Sequence, residues 1–229
     1  DLHSFPTRRS SDLTLYGIPT ITKNLLAINV LMFLALFVAE RHGIDLNAIL
    51  GLHLFISEDF QPYQLVTYMF MHGSITHLFF NMFALWMFGR TVEYDLGSKR
   101  FLIYFMVCGV GAALLQLLVG WIEYQVLTGS PETWVYAQGL LRVPTVGASG
   151  AIFGLLLAFG FLHPNAQIML LIPPIPIRAK WFVVIYGVIE LFFGISGYQA
   201  GVAHFAHLGG MLWGLLLLLY WRKSRRPLF

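Results

Sequence analysis

Apolar residues run along this chain in long blocks separated by short polar stretches. The hydrocarbon core of a bilayer, roughly 30 Å thick, takes about 20 apolar residues per helix. Six blocks approach that length: Ile21 to Ala39, Ile75 to Phe88, Phe101 to Ile122, Val146 to Leu162, Trp181 to Ile195 and Ala203 to Tyr220. The pattern predicts an all-α membrane protein, a bundle of six transmembrane helices. The second, fourth and fifth blocks are short, as suits helices shielded by neighbours or meeting water partway through the membrane. No internal repeat is visible, so residues 14–222 read as one membrane domain and 223–229 as a basic tail. Residues 1–13 are polar and match nothing that follows. The run Ser4-Phe5-Pro6-Thr7-Arg8-Arg9-Ser10-Ser11-Asp12-Leu13 looks like a translated sequencing adapter and is set aside from the fold.

Basic residues orient the bundle, because cytoplasmic loops carry the excess of Lys and Arg. With six spans both termini share one side, and that side collects Lys23, Arg90, Lys99, Arg100, Arg178, Lys180, Arg222, Lys223, Arg225 and Arg226. The other side holds only Arg41 and Arg142. The expectation is a multi-pass protein with cytoplasmic termini, and the lack of a targeting sequence together with the adapter-like leader fits a bacterial inner membrane. Loops 40–74, 123–145 and 196–202 then face outward. The first of these mixes Glu58 and Asp59 with Leu50, Leu52, Leu54, Phe55 and Phe60, a pattern suited to the membrane interface.

Composition agrees with the blocks: 58% of the 229 residues are apolar and 11% charged, against about 25% charged in a soluble domain. Mean hydropathy is +0.72. The 22 glycines fall mostly within the blocks, where they permit close helix packing in lipid. Net charge is +3, but the basic residues sit at block ends and form no face to track phosphates, which argues against nucleic acid. Cys108 is the single cysteine, so no disulfide framework or cysteine-based metal site is available.

Polar groups inside membrane segments are costly and each needs a reason. They are His72, His77, Asn81, Gln116, Ser149, Glu190, His204 and His207. Ser149 lies in Gly147-Ala148-Ser149-Gly150 at the start of the fourth block, flanked by residues too small to obstruct an approaching backbone. A helix start also supplies free N–H groups to a developing oxyanion. Taken alone, Ser149 reads equally as part of a small-residue helix contact. His207 opens the sixth block, with Gly210 and Gly214 on its face at i+3 and i+7. Should the fourth helix be the neighbour those glycines admit, His207 reaches the Ser149 hydroxyl as general base. A hydrogen-bonded residue at the membrane interface is the plainer alternative.

His77 and Asn81, at i and i+4, project from one helix face and both can donate hydrogen bonds, as an oxyanion hole requires. A polar helix contact competes with that reading. A metal site is the competing use of the histidines, but no H-E-x-x-H occurs, and neither metal nor cofactor is expected. No carboxylate accompanies His207 in sequence, so a dyad is expected over a triad. Glu190 is expected to pair inside the bundle or to be neutral, with no catalytic role assigned. His204 is the rival base and is read as an interfacial residue.

These residues, in this order and sidedness, resemble the rhomboid intramembrane serine proteases over roughly residues 21–222. The resemblance rests on Gly147-Ala148-Ser149-Gly150, on His207 followed by Gly210 and Gly214, and on His72, His77 and Asn81. It implies that Ser149 is the nucleophile and His207 its base. His77, Asn81 and the Ser149 N–H would form the oxyanion hole, with His72 in structural support. Substrates would be transmembrane proteins reached from the lipid and hydrolysed through an acyl-enzyme. Two positions depart from the family. Tyr63-Gln64 replaces its usual Trp-Arg, which puts the anchoring of the outer loop in question. Phe153 stands where some members stack a Tyr on the catalytic His. The rival readings are a non-catalytic rhomboid-like protein that binds membrane clients and a small transporter relaying protons through its histidines.

Overall fold

The computed structural model describes residues 17–169, 174–196 and 203–224. The leader 1–13, most of loop 196–202 and residues 225–229 of the tail lie outside them. In chain order the helices are α1 (Thr20–Glu40), α2 (Leu46–Leu50), α3 (Gln64–Thr67), α4 (Ile75–Ala84), α5 (Arg90–Leu96), α6 (Ser98–Thr128), α7 (Trp134–Arg142), α8 (Ser149–Leu162), α9 (Ala179–Ser196) and α10 (His204–Lys223). A short antiparallel pair, β1 (Gln167–Met169) with β2 (Pro176–Arg178), joins α8 to α9. Among the described residues, α1, α6, α9 and α10 are long and apolar enough to cross a membrane. Helix α8 is apolar but shorter, at 14 residues. Helices α4 and α5 join through a π-helical turn, Leu85–Gly89, so the block read as ending at Phe88 continues as helix to Leu96. Gly97, at φ +73°, ends it.

Helix α10 sits at the centre, packed on α6 and α8 with α9 alongside. Glycine makes this packing possible. A Cβ on Gly210 would collide with the Gly150 carbonyl oxygen of α8, and one on Gly154 with Cys108 Sγ of α6. Gly214 turns the same close approach toward Tyr104 of α6. The outward faces are apolar: Val184, Val188 and Phe192 of α9 and Leu31, Leu34 and Val38 of α1 are exposed, as lipid-facing residues must be.

The buried carboxylate of Glu93 on α5 closes the start of α1. It accepts from the backbone N–H groups of Ile21 (3.0 Å) and Thr22 (2.7 Å), and from the Thr22 and Ser98 hydroxyls. Those N–H groups have no partner within their own helix, and a negative charge at a helix start opposes the positive end of its dipole.

The loop between α1 and α4 is folded rather than spread on the interface throughout. Leu52 and Leu54 are buried in the core, while Phe55 and Ile56 remain exposed. Gln64 fastens this loop from inside. Its Oε1 accepts from the N–H groups of His53 and Gln61, both at 3.2 Å, and its Nε2 donates to the carbonyls of Asp59 (2.9 Å) and Ile49 (3.1 Å). Leu52 and Thr145 exchange backbone hydrogen bonds at 2.9 Å, and Gly147 N–H donates to Tyr68 O, so the loop also holds the segment that enters α8. The stretch 123–145, read as loop, is largely helical: α6 extends to Thr128 and α7 follows.

Candidate active site

Each site residue is placed by a local feature of the chain. Gly147 adopts φ +128°, a backbone conformation that side chains disfavour, and a Cβ there would meet the His77 ring at 2.8 Å. The chain then turns into α8 with Ala148 as its N-cap, leaving Ser149 in the first turn, where backbone N–H groups lack intrahelical acceptors. Across from it, Ser74 caps α4 by accepting from His77 N–H at 3.1 Å, which fixes His77 in that helix's first turn. Asn81, one turn on, is buried and donates through Nδ2 to His77 O at 3.0 Å. Its second amide N–H stays available. His72 is buried, its ring 5.0 Å edge-on to that of His77.

His207 lies in the first turn of α10, and Gly210 against Gly150 brings α10 and α8 close enough for their side chains to meet. His207 Nε2 is 2.8 Å from Ser149 Oγ. The Phe153 ring lies flat on His207, with centroids 4.2 Å apart and planes within 5°. Stacking needs only the ring, so phenylalanine supplies the packing surface without a hydroxyl.

Behind His207 stands a residue with no role assigned from sequence. Oε2 of buried Glu190 on α9 lies 2.9 Å from His207 Nδ1 and 2.6 Å from His204 Nδ1. His204, read as interfacial, is buried instead. A signal for this existed in the sequence. Glu190 falls in the last part of the fifth block, at the end where the sixth begins, and His204 and His207 share a face at i and i+3. One nitrogen from each histidine and an oxygen of Glu190 lie within 4.8 Å of one another, so among the described residues these three are also a set that could hold a metal ion.

Ser149, His207, His77, Asn81 and His204 line one cavity of about 1390 Å³, together with Gln116 and Glu123 of α6. A hydroxyl in hydrogen-bond contact with an imidazole, beside free N–H groups and an open cavity, has the parts that acyl transfer needs.

Apolar spans and an internal serine–histidine pair define a membrane protein with a polar site inside its helix bundle. The Rhomboid domain family matches residues 59–224. The chain belongs to the rhomboid family. It is 30% identical over 203 residues to the rhomboid protease GluP of Bacillus subtilis, covering 86% of this chain and 34% of that protein. It is 29% identical to the rhomboid protease AarA of Providencia stuartii, covering 86% of this chain and 70% of that one. With the mitochondrial rhomboid protein 1 of Saccharomyces cerevisiae it shares 30% identity over 68% of this chain and 40% of the yeast protein. The chain thus spans well under half the length of the yeast and Bacillus relatives.

Proposed function

We propose that this chain is a serine endopeptidase that cleaves transmembrane segments of other proteins, using Ser149 as nucleophile and His207 as base. The observation that carries the reading is the 2.8 Å contact between His207 Nε2 and Ser149 Oγ at the wall of a cavity inside a membrane bundle. His207 takes the hydroxyl proton as Ser149 Oγ bonds to the scissile carbonyl carbon, giving a tetrahedral oxyanion. The Ser149 N–H, His77 and Asn81 donate to that oxygen. As the C–N bond breaks, His207 passes its proton to the leaving amine and an acyl-enzyme remains on Ser149. Water from the cavity then attacks, with His207 again as base, and releases the acid. A substrate helix hides its carbonyls in its own hydrogen bonds, so segments that unwind readily, rich in Gly or containing Pro, are favoured.

The reading extends to topology. Six spans, with α4 and α5 together as the second and α8 as the fourth, put both termini on the cytoplasmic side by the distribution of Lys and Arg, and the bacterial rhomboid relatives favour a bacterial inner membrane. Lipid is the surrounding partner and the route by which substrate arrives. The membrane domain of this reading is residues 14–222, with the basic residues that follow it on the cytoplasmic side.

The test is cleavage of a transmembrane reporter in proteoliposomes by the parent, Ser149→Ala and His207→Ala. The parent cuts and both variants lose activity by at least about 10³-fold, while far-ultraviolet circular dichroism stays unchanged. Equal behaviour of all three contradicts the proposal and leaves a client-binding protein in its place.

A further inference from the structure

Glu190 occupies a position that its surroundings make expensive. It is a carboxylate on a helix whose other charge is Lys180 at its start, 7% exposed, and it is held by two histidines through a single oxygen. A carboxylate can only accept hydrogen bonds, so the nitrogen facing it on each ring must carry the proton. For His207 that nitrogen is Nδ1. A neutral imidazole has one proton, and Nε2 is therefore left with its lone pair toward Ser149 Oγ, 2.8 Å away. The tautomer needed for proton abstraction from Ser149 is thus selected by Glu190. The same contact places a negative charge 2.9 Å from the ring that becomes positive when the serine proton arrives.

We infer that Glu190 is a positioning residue for the hydrolysis proposed above, fixing the tautomer of His207 and stabilising its imidazolium, with His204 holding the carboxylate in place. The inference rests on the reading of Ser149 and His207 as nucleophile and base. It adds to the dyad expected from sequence a carboxylate that orients His207 and stays ionised while the ring carries the serine proton. His204 has the geometry of an anchor: it meets the same oxygen at 2.6 Å from one turn earlier on α10, so the carboxylate cannot swing off His207 without giving up a second bond. Phe153 closes one face of the His207 ring and takes no proton. Other ionisable groups near His207 differ in kind. His77 approaches from α4 and is itself a base, and Glu123 of α6 and Tyr186 of α9 line the cavity without bonding to His207. Tyr104 and Cys108 of α6 face Gly214, two turns along α10. Among the described residues Glu190 is the carboxylate that His207 meets.

The test measures the rate of fluorophosphonate labelling and of reporter cleavage from pH 5 to 9 for the parent, Glu190→Gln, Glu190→Asp and His204→Asn. Expected for Glu190→Gln is a loss on the order of 10²-fold or more in both rates, with the acid limb of the profile moving to lower pH, because the imidazolium has lost its counter-charge. Glu190→Asp recovers part of the rate and returns the limb toward the parent's position. His204→Asn loses less than Glu190→Gln. A Glu190→Gln profile that overlays the parent's overturns the inference. So does a lower amplitude with an unmoved acid limb, which marks a role in folding alone. A parent that EDTA silences and zinc restores also overturns it, by making the three residues a metal site. A folded parent that the probe never labels overturns the Ser149 reading itself, a result distinct from any change confined to Glu190.

Discussion

At the scale of single residues, Gln64 shows how a departure from a family pattern is absorbed. Where a Trp-Arg pair is usual, this chain uses an uncharged amide, buried and bonded to four backbone groups of one loop. Replacing it with alanine strands those groups, so Gln64→Ala costs about 2–4 kcal/mol, read as a lower midpoint of unfolding in mixed SDS micelles. Gln64→Glu turns an acceptor-only oxygen toward the Asp59 and Ile49 carbonyls in a buried site and costs at least as much as Gln64→Ala. Phe153 is a second case. Phe153→Ala removes the surface on which His207 lies and lowers cleavage by roughly 10-fold, while Phe153→Tyr keeps the ring and stays near the parent. The candidate residues Ser149, His207, His77 and Asn81 stood out in the sequence because polar groups within apolar blocks are few. For Glu190 the sequence offered only its place in the fifth block and the i, i+3 histidines; which side chains of α9 and α10 meet depends on how the two helices pack.

At the scale of elements, the crossing of α10 over α8 depends on the lack of a side chain at Gly210. Gly210→Val sets a side chain into the Gly150 backbone, and the expected outcome is loss of cleavage with more than about 3 kcal/mol of stability. Gly139→Ala on α7, with nothing within 4 Å, is the control: it keeps cleavage and leaves stability unchanged or raised by up to about 1 kcal/mol. Another junction joins the end of α5 to the end of α8. His163 Nε2 lies 2.6 Å from Asp95 Oδ2, and that hydrogen bond raises the imidazole above its ordinary value against the opposing effect of burial. Its contribution is full below the unfolded value of 6.5 and fades as pH rises through the raised folded value. Asp95→Asn should therefore destabilise at pH 6 by under about 1 kcal/mol, because water screens this half-exposed pair, and by nothing measurable at pH 9. Long helices such as α1, α6 and α10 were legible from block length. The run of α4 into α5 was not, because Arg90, Glu93 and Asp95 interrupt the apolar pattern while Glu93 turns inward to close α1. Helix α7 and the β1–β2 pair likewise carry no long apolar stretch to announce them.

At the scale of the whole molecule, the proposed orientation makes a direct prediction. Cys108 is fully buried, so a cysteine introduced elsewhere is the one that reacts. An impermeant maleimide added to intact bacterial spheroplasts should label Glu58→Cys, in the loop before α3, and should label Lys99→Cys, at the start of α6, only after the membrane is opened. Reversed labelling would invert the topology. The cavity that gathers Ser149, His207, His77 and Asn81 is also lined by Pro144 and Thr145, the stretch that Leu52 of that loop holds by backbone hydrogen bonds.

The central claim is that Ser149 is a nucleophile activated by His207, and the measurement that meets it most directly is mass-spectrometric mapping of a fluorophosphonate adduct on the folded protein in liposomes. The expected result is one adduct, on the peptide containing Ser149, that disappears in His207→Ala. An adduct on another residue, or reporter cleavage that persists in Ser149→Ala, would contradict it.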